Sequence, residues 1–175
     1  MKILIKNGMI VSDSETYQAD ILIENEKVKW IGTDLPKTDV DTVIDAEGKY
    51  VIPGAIDVHT HMDIDVGIAR AVDDFYDGTV AAACGGTTSI VDHMGFGPAG
   101  VPLHYQFNEY KKLTEGKAVI DYGFHGVAQH VDDDIIAELE TMAEDGIPSV
   151  KAYLTYGFKL NDAEILQILK KMKEI

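Results

Sequence analysis

Two histidines, His59 and His61, stand two residues apart in the apolar run Ala55-Ile-Asp-Val-His-Thr-His-Met62. Read as a strand, the run alternates its side chains between two faces. Asp57, His59 and His61 then share one face, and Ile56, Val58 and Thr60 the other. Two imidazoles on one face of a buried strand need either two separate polar partners or one shared partner, and a metal ion is the shared partner that suits them best.

Lys151 is the second unusual residue. It lies mid-run in Ser149-Val-Lys-Ala-Tyr-Leu154, a strand expected to be buried on both faces. Three readings suit it. It pairs with a buried carboxylate, it snorkels from a strand end, or it has reacted with carbon dioxide. The resulting carbamate is anionic and has two oxygens, so it can bridge two divalent cations that histidines also hold. Burial favours that chemistry by keeping the amine neutral. Taken with His59 and His61, the carbamate is the leading account.

The other residues that could do chemistry carry weaker signals. Gly95-Phe-Gly-Pro-Ala-Gly100 matches the G-x-G-x-x-G pattern between a strand and a helix. Pro98, however, removes a backbone donor where a pyrophosphate would need one, and a tight βα loop is expected instead. His93 and His125 fall in strands and read as core residues or as supports of the site. His104 and His130 read as surface residues. Cys84, the single cysteine, reads as a buried small residue at a helix end.

These residues must be positioned by the elements around them. Residues 1–53 read as short strands forming a small antiparallel sheet, with Asn7-Gly8 as a two-residue hairpin turn between Lys2–Lys6 and Met9–Val11. Pro53-Gly54 punctuates the chain. After it, strands beginning near 55, 87, 118 and 148 alternate with helices over roughly 71–84 and 102–114, a helix striped by Ile135, Ile136, Leu139, Met142 and Ala143 that ends at Gly146, and a last helix after Asn161. Asn161 and Glu164 have capping-box spacing. A βα unit of about 30 residues implies a parallel sheet, either doubly wound or part of a (β/α)8 barrel. Both folds place their sites at the carboxyl ends of the strands.

Composition narrows the function. The chain has 175 residues, 46% of them hydrophobic and 26% charged, and a formal net charge of −15. An acidic chain repels phosphate backbones and anionic lipid surfaces, so neither nucleic acid nor membrane is an expected partner. No apolar run approaches the roughly 18 residues of a membrane span, and the start of the chain lacks the apolar core of a signal peptide. With one cysteine and no possible internal disulfide, a cytoplasmic location is expected.

The residues 51–61, Val-Ile-Pro-Gly-Ala-Ile-Asp-Val-His-Thr-His, resemble the first barrel strand of the amidohydrolase superfamily. Asp65-Val-Gly-Ile-Ala-Arg70, Ala82-Ala-Cys-Gly-Gly-Thr-Thr88, Asp92-His-Met-Gly-Phe-Gly97 and Lys151-Ala-Tyr-Leu-Thr-Tyr156 are similar to the dihydropyrimidinase/hydantoinase branch, bacterial phenylhydantoinases in particular. The resemblance covers essentially the whole chain. It implies the first half of a metal-dependent (β/α)8 TIM barrel (54–175, four βα units), preceded by part of a small antiparallel β-sandwich (1–53).

The resemblance also implies a binuclear centre, usually zinc. His59 and His61 match two of its ligands, and Lys151 matches the carboxylated lysine that bridges the metals. Tyr156 matches the tyrosine that binds the substrate carbonyl and stabilises the oxyanion. The loops at 62–72 and 153–159 match those lining the substrate's exocyclic pocket. The implied reaction is attack of a metal-bridging hydroxide on the ring amide of a dihydropyrimidine or 5-substituted hydantoin, giving an N-carbamoyl amino acid. The implied assembly is a homo-oligomer, a tetramer in the family.

Two further histidine ligands and the catalytic aspartate of the family have no counterpart in this chain, so the 175 residues alone are expected to be inactive. Among related enzymes, dihydroorotases and allantoinases are the alternatives. The dihydroorotase pattern has an arginine soon after His-x-His, whereas Met62-Asp-Ile-Asp65 follows here. Non-catalytic dihydropyrimidinase-like scaffold proteins lose metal ligands, whereas His59, His61 and Lys151 are present.

Overall fold

The computed structural model describes residues 1–175. Packing divides the chain into two units, Met1–Pro53 and Gly54–Ile175.

The first unit is one five-stranded mixed sheet. Strands β1 (Lys2–Val11), β2 (Thr16–Glu24), β3 (Lys27–Gly32) and β4 (Thr42–Asp45) lie in the order β3-β2-β1-β4, and β5 (Tyr50–Val51) also pairs with β1. The antiparallel expectation holds for β1, β2 and β3 and fails for β4 and β5, which run parallel to β1. The expected hairpin at Asn7-Gly8 is not formed. Asn7 does adopt the left-handed conformation (φ 62°), but within a continuous β1 that carries a register shift between Ile5 and Gly8. A positive φ serves a bulge as well as a turn. Here Asp20 fixes the bulge: its carboxylate accepts from Asn7 N at 2.9 Å and from Leu35 N at 2.9 Å, and pairs with Lys6 Nζ at 3.0 Å.

The second unit alternates strand and helix. The order is β6 (Ala55–Thr60), α1 (Phe75–Cys84), β7 (Thr87–His93), α2 (Leu103–Thr114), β8 (Asp121–Ala128), α3 (Asp133–Glu144), β9 (Val150–Ala152) and α4 (Asp162–Glu174). All four strands are parallel, and each lies beside its predecessor: β6-β7-β8-β9. A doubly wound sheet reverses direction at a switch point, and no reversal occurs among these strands. The sequential order is that of a barrel.

Helices start where side chains satisfy their free N–H groups. Asp74 caps α1, Asp132 caps α3, and Asn161 with Glu164 closes the capping box of α4. The core lies between helices and sheet, around Phe75, Ile90, Met94, Phe124, Leu139 and Met142. Phe124 meets Phe75, Phe107 and Tyr110 in edge-on contacts with centroids 5.9–6.4 Å apart, a favoured aromatic geometry.

Three expectations about burial are corrected. β6 and β9 are the edge strands of the sheet, so β6 is largely exposed and β9 half-buried rather than enclosed on both faces. Cys84 is exposed at the end of α1. His104 is not a free surface residue, because its ring lies between Glu138 of α3 and Asp145 at the end of that helix, at 3.0 and 3.2 Å.

Candidate metal centre

β6 does not pair evenly with β7. Ala55 opposes Thr87 and Ile56 opposes Ser89, which leaves an extra residue on β7. Asp57 then opposes Ile90 and Thr60 opposes Asp92, which leaves an extra residue on β6. The second bulge falls on Val58 and His59, next to the site. Bulges of this kind re-aim side chains at the ends of sheets. In a regular strand, residues i and i+2 are about 6.6 Å apart along the chain. Here the ring nitrogens His59 Nε2 and His61 Nε2 approach to 3.2 Å.

Two more imidazoles join them. His93, at the carboxyl end of β7, is buried, and its ring centroid lies 4.0 Å from that of His59 and 5.5 Å from that of His61. His125 of β8 stacks on His93 at 4.3 Å. Burial, followed by the charges of His125 and His59, pushes His93 down to about 4. His61 is also lowered, by burial first and then by the charge of Lys151. Both rings are therefore neutral at pH 7, the form in which an imidazole binds a metal. His61 Nδ1 and His93 Nδ1 are buried and have no hydrogen-bond partner.

Lys151 forms no ion pair, so the reading that pairs it with a buried carboxylate is set aside. Its Nζ lies 4.9 Å from the Tyr153 ring centroid. No group of three or more His, Cys, Asp or Glu side chains is arranged to hold a metal ion. The converging imidazoles supply two donors. Carboxylation of Lys151 would add an anionic oxygen donor beside them. In that form the donor set suits a divalent ion of zinc's type.

Tyr156 is 74% exposed and holds a positive φ of 69°. For an aromatic residue that conformation is a backbone outlier, and such outliers gather at functional sites. The 62–72 segment is tied down by Asp63, which is buried and bonded to Arg70 Nε at 2.7 Å, and by an isolated Asp65–Arg70 bridge.

Asp57 bonds to backbone and makes no hydrogen bond to an imidazole. Its Oδ1 accepts from the backbone N–H of His59 at 3.1 Å. The glycine-rich loop offers no phosphate cradle either. Gly95 N–H donates to Tyr110 Oη, and Gly97 N–H donates to Gln129 Oε1.

Sequence reasoning passed over Asp92. Its side chain is fully buried, and its Oδ2 accepts from Thr60 Oγ1 at 2.7 Å and from Met62 N at 2.8 Å. Burial pushes this carboxyl up to about 6. The only signal for it was a charged residue on the inward phase of an apolar strand.

No protein-family model matches the chain. A D-phenylhydantoinase from Escherichia coli O1:K1 / APEC is 53% identical over 174 residues, which are 99% of this chain and 38% of the relative. The crystal structure of dihydropyrimidinase from Brevibacillus agri NCHU1002 superposes with a TM-score of 0.94 at 45% identity, over 99% of this chain and 38% of that one. D-hydantoinase from Bacillus sp. AR9 superposes with a TM-score of 0.92 at 43% identity, over 98% and 38%. The chain thus spans 38% of the length of these relatives. Sequence and fold together place its 175 residues in the D-hydantoinase/dihydropyrimidinase family.

Proposed function

We propose that this chain supplies one side of the active site of a metal-dependent cyclic amidohydrolase. The reaction is opening of the ring amide of a dihydropyrimidine or a 5-substituted hydantoin to an N-carbamoyl amino acid. The observation that carries the reading is the approach of His59 Nε2 and His61 Nε2 to 3.2 Å at the carboxyl end of β6. The two units, 1–53 and 54–175, are read as a β-sandwich portion and the first four βα units of a barrel.

His59, His61 and carboxylated Lys151 would hold two divalent ions, zinc being the metal proposed. When bound, such ions act as Lewis acids and lower the pKa of a water. The chain's own residues do the rest. His61 and its neighbour His93 stay neutral at pH 7. Tyr156 presents its hydroxyl to the substrate carbonyl and donates to the oxygen as negative charge develops there. The 62–72 and 153–159 segments bound the exocyclic substituent.

The 175 residues alone do not turn over substrate on this reading. His59 is exposed and Tyr156 is 74% exposed, and this chemistry depends on a site from which water is excluded.

The test has two parts. Zinc titration of the chain in bicarbonate is compared with His59→Ala, His61→Ala and Lys151→Ala, and a carbamate carbon from labelled bicarbonate is sought by NMR. Loss of zinc binding in each variant, and of the carbamate signal in Lys151→Ala, is expected. In a longer protein containing these residues, two metals surviving Lys151→Ala would overturn the carbamate assignment. Chelator-sensitive hydrolysis of dihydrouracil or phenylhydantoin by the 175-residue chain would overturn its inactivity.

A further inference from the structure

We propose that Asp92 is the positioning residue of the His59/His61 pair, acting as a lock on the bulged end of β6. The inference rests on the metal-site reading above and deepens it. Three observations meet at this residue. Asp92 is the β7 partner of Thr60, the first paired residue after the bulge. Its Oδ2 takes two hydrogen bonds from β6 and its continuation, one from the Thr60 hydroxyl and one from the Met62 amide. These two donors flank His61 in the chain. The carboxylate therefore holds the residues on both sides of one imidazole, and it is itself immobilised by complete burial.

The bulge is held from a second side. His125 Nε2 lies 3.0 Å from the Val58 carbonyl, within the bulge, and its Nδ1 meets Ser149 Oγ. In the tautomer protonated on Nε2, His125 donates to Val58 O and accepts from Ser149. The bulge of β6 is thus gripped by β8 through His125 at Val58, and the residues that follow it are held by β7 through Asp92. A bulge without such anchors would leave the His59 and His61 rings free to separate toward regular-strand spacing. Residues that orient metal ligands typically change metal affinity about 10–100-fold when removed.

The experiment uses the 175-residue chain, zinc competed against a chromophoric chelator, and amide hydrogen exchange at Met62 without metal. Asp92→Ala is expected to weaken zinc binding about 10–100-fold and to expose the Met62 amide to exchange, while circular dichroism remains that of a folded chain. Asp92→Asn keeps a carbonyl oxygen for both donors, so it should restore affinity to within about threefold of the original; a residue that merely stabilised the fold would give no such contrast. Thr60→Val removes one of the two bonds and is the milder variant should Asp92→Ala fail to fold; it should weaken zinc binding severalfold. Unchanged zinc affinity in folded Asp92→Ala, or in Thr60→Val, overturns the lock. If the original chain binds no zinc, the metal reading fails, and Met62 exchange decides the lock alone: faster exchange in the variants supports it, and unchanged exchange refutes it.

Discussion

Replacing Tyr110 with phenylalanine isolates a single buried hydrogen bond beside the site. The Tyr110 hydroxyl accepts from Gly95 N–H at 2.7 Å, both groups being buried, and burial pushes the phenol up to about 12. Its ring packs edge-on against Phe75 at 6.2 Å and Phe124 at 5.9 Å. Phenylalanine keeps that packing and removes only the acceptor. The Gly95 N–H is then stranded, because the loop carbonyls nearby are engaged by the Gln106 and Gln129 side-chain amides. A buried donor left without a partner costs about 1–3 kcal/mol. With a urea m-value of about 1–2 kcal/mol/M, the unfolding midpoint should fall by roughly 1 M. Circular dichroism at a helical wavelength is the assay, since all four helices lie in Gly54–Ile175. The Gly95 amide should also exchange faster in the native state. A midpoint within about 0.2 M of the original, with the Gly95 amide still protected, would refute the reasoning.

Two further perturbations test other parts of the fold. Burial works to raise Asp20, but hydrogen bonds from Asn7, Lys6 and Leu35, with the Lys6 charge, hold it below 3.8. A depressed carboxylate contributes stability that is present above its unfolded pKa and lost as pH falls through the folded one. Unfolding followed by the single tryptophan, Trp30, should therefore show stability falling with pH below about 4, and Asp20→Asn should flatten that fall; an unaltered slope argues against the assignment. At Gly54, an added Cβ would lie 2.2 Å from two side-chain atoms of Thr88. Gly54→Ala should cost about 1–3 kcal/mol of unfolding free energy, part of it recovered by Thr88→Ala, and an unaffected melting curve would contradict so close an approach.

The chain's βα rhythm was legible because each period ends in an apolar run bounded by Gly, Pro or a capping residue. Asn161 and Glu164 announced their capping box, and His59 and His61 announced themselves by type and spacing. What escaped was register. Alternation is a rule for unbroken strands, and nothing in Asp57-Val-His-Thr60 marks an extra residue. Asn7-Gly8 satisfied a turn rule that a bulge satisfies equally. Burial was misjudged for β6 and β9 because a sequence run shows that a strand is apolar and not which strands stand at the sheet's edges. Asp92 was unreadable for a related reason. Its partners, Thr60 and Met62, lie about 30 residues away in the chain and meet it only once the parallel register is set.

The two irregularities between β6 and β7 have opposite sense, so together they restore the pairing they interrupt. The length of this stretch therefore decides where its histidines point. A substitution at Val58 changes one side chain. Deleting Val58 would remove the bulge itself: Asp57 would still oppose Ile90 and Thr60 would still oppose Asp92, with one residue of β6 instead of two between them, and His59 would lose its re-aimed setting. Varying the identity of residue 58 should leave the approach of His59 to His61 intact, whereas deleting it should let the two rings separate toward regular-strand spacing.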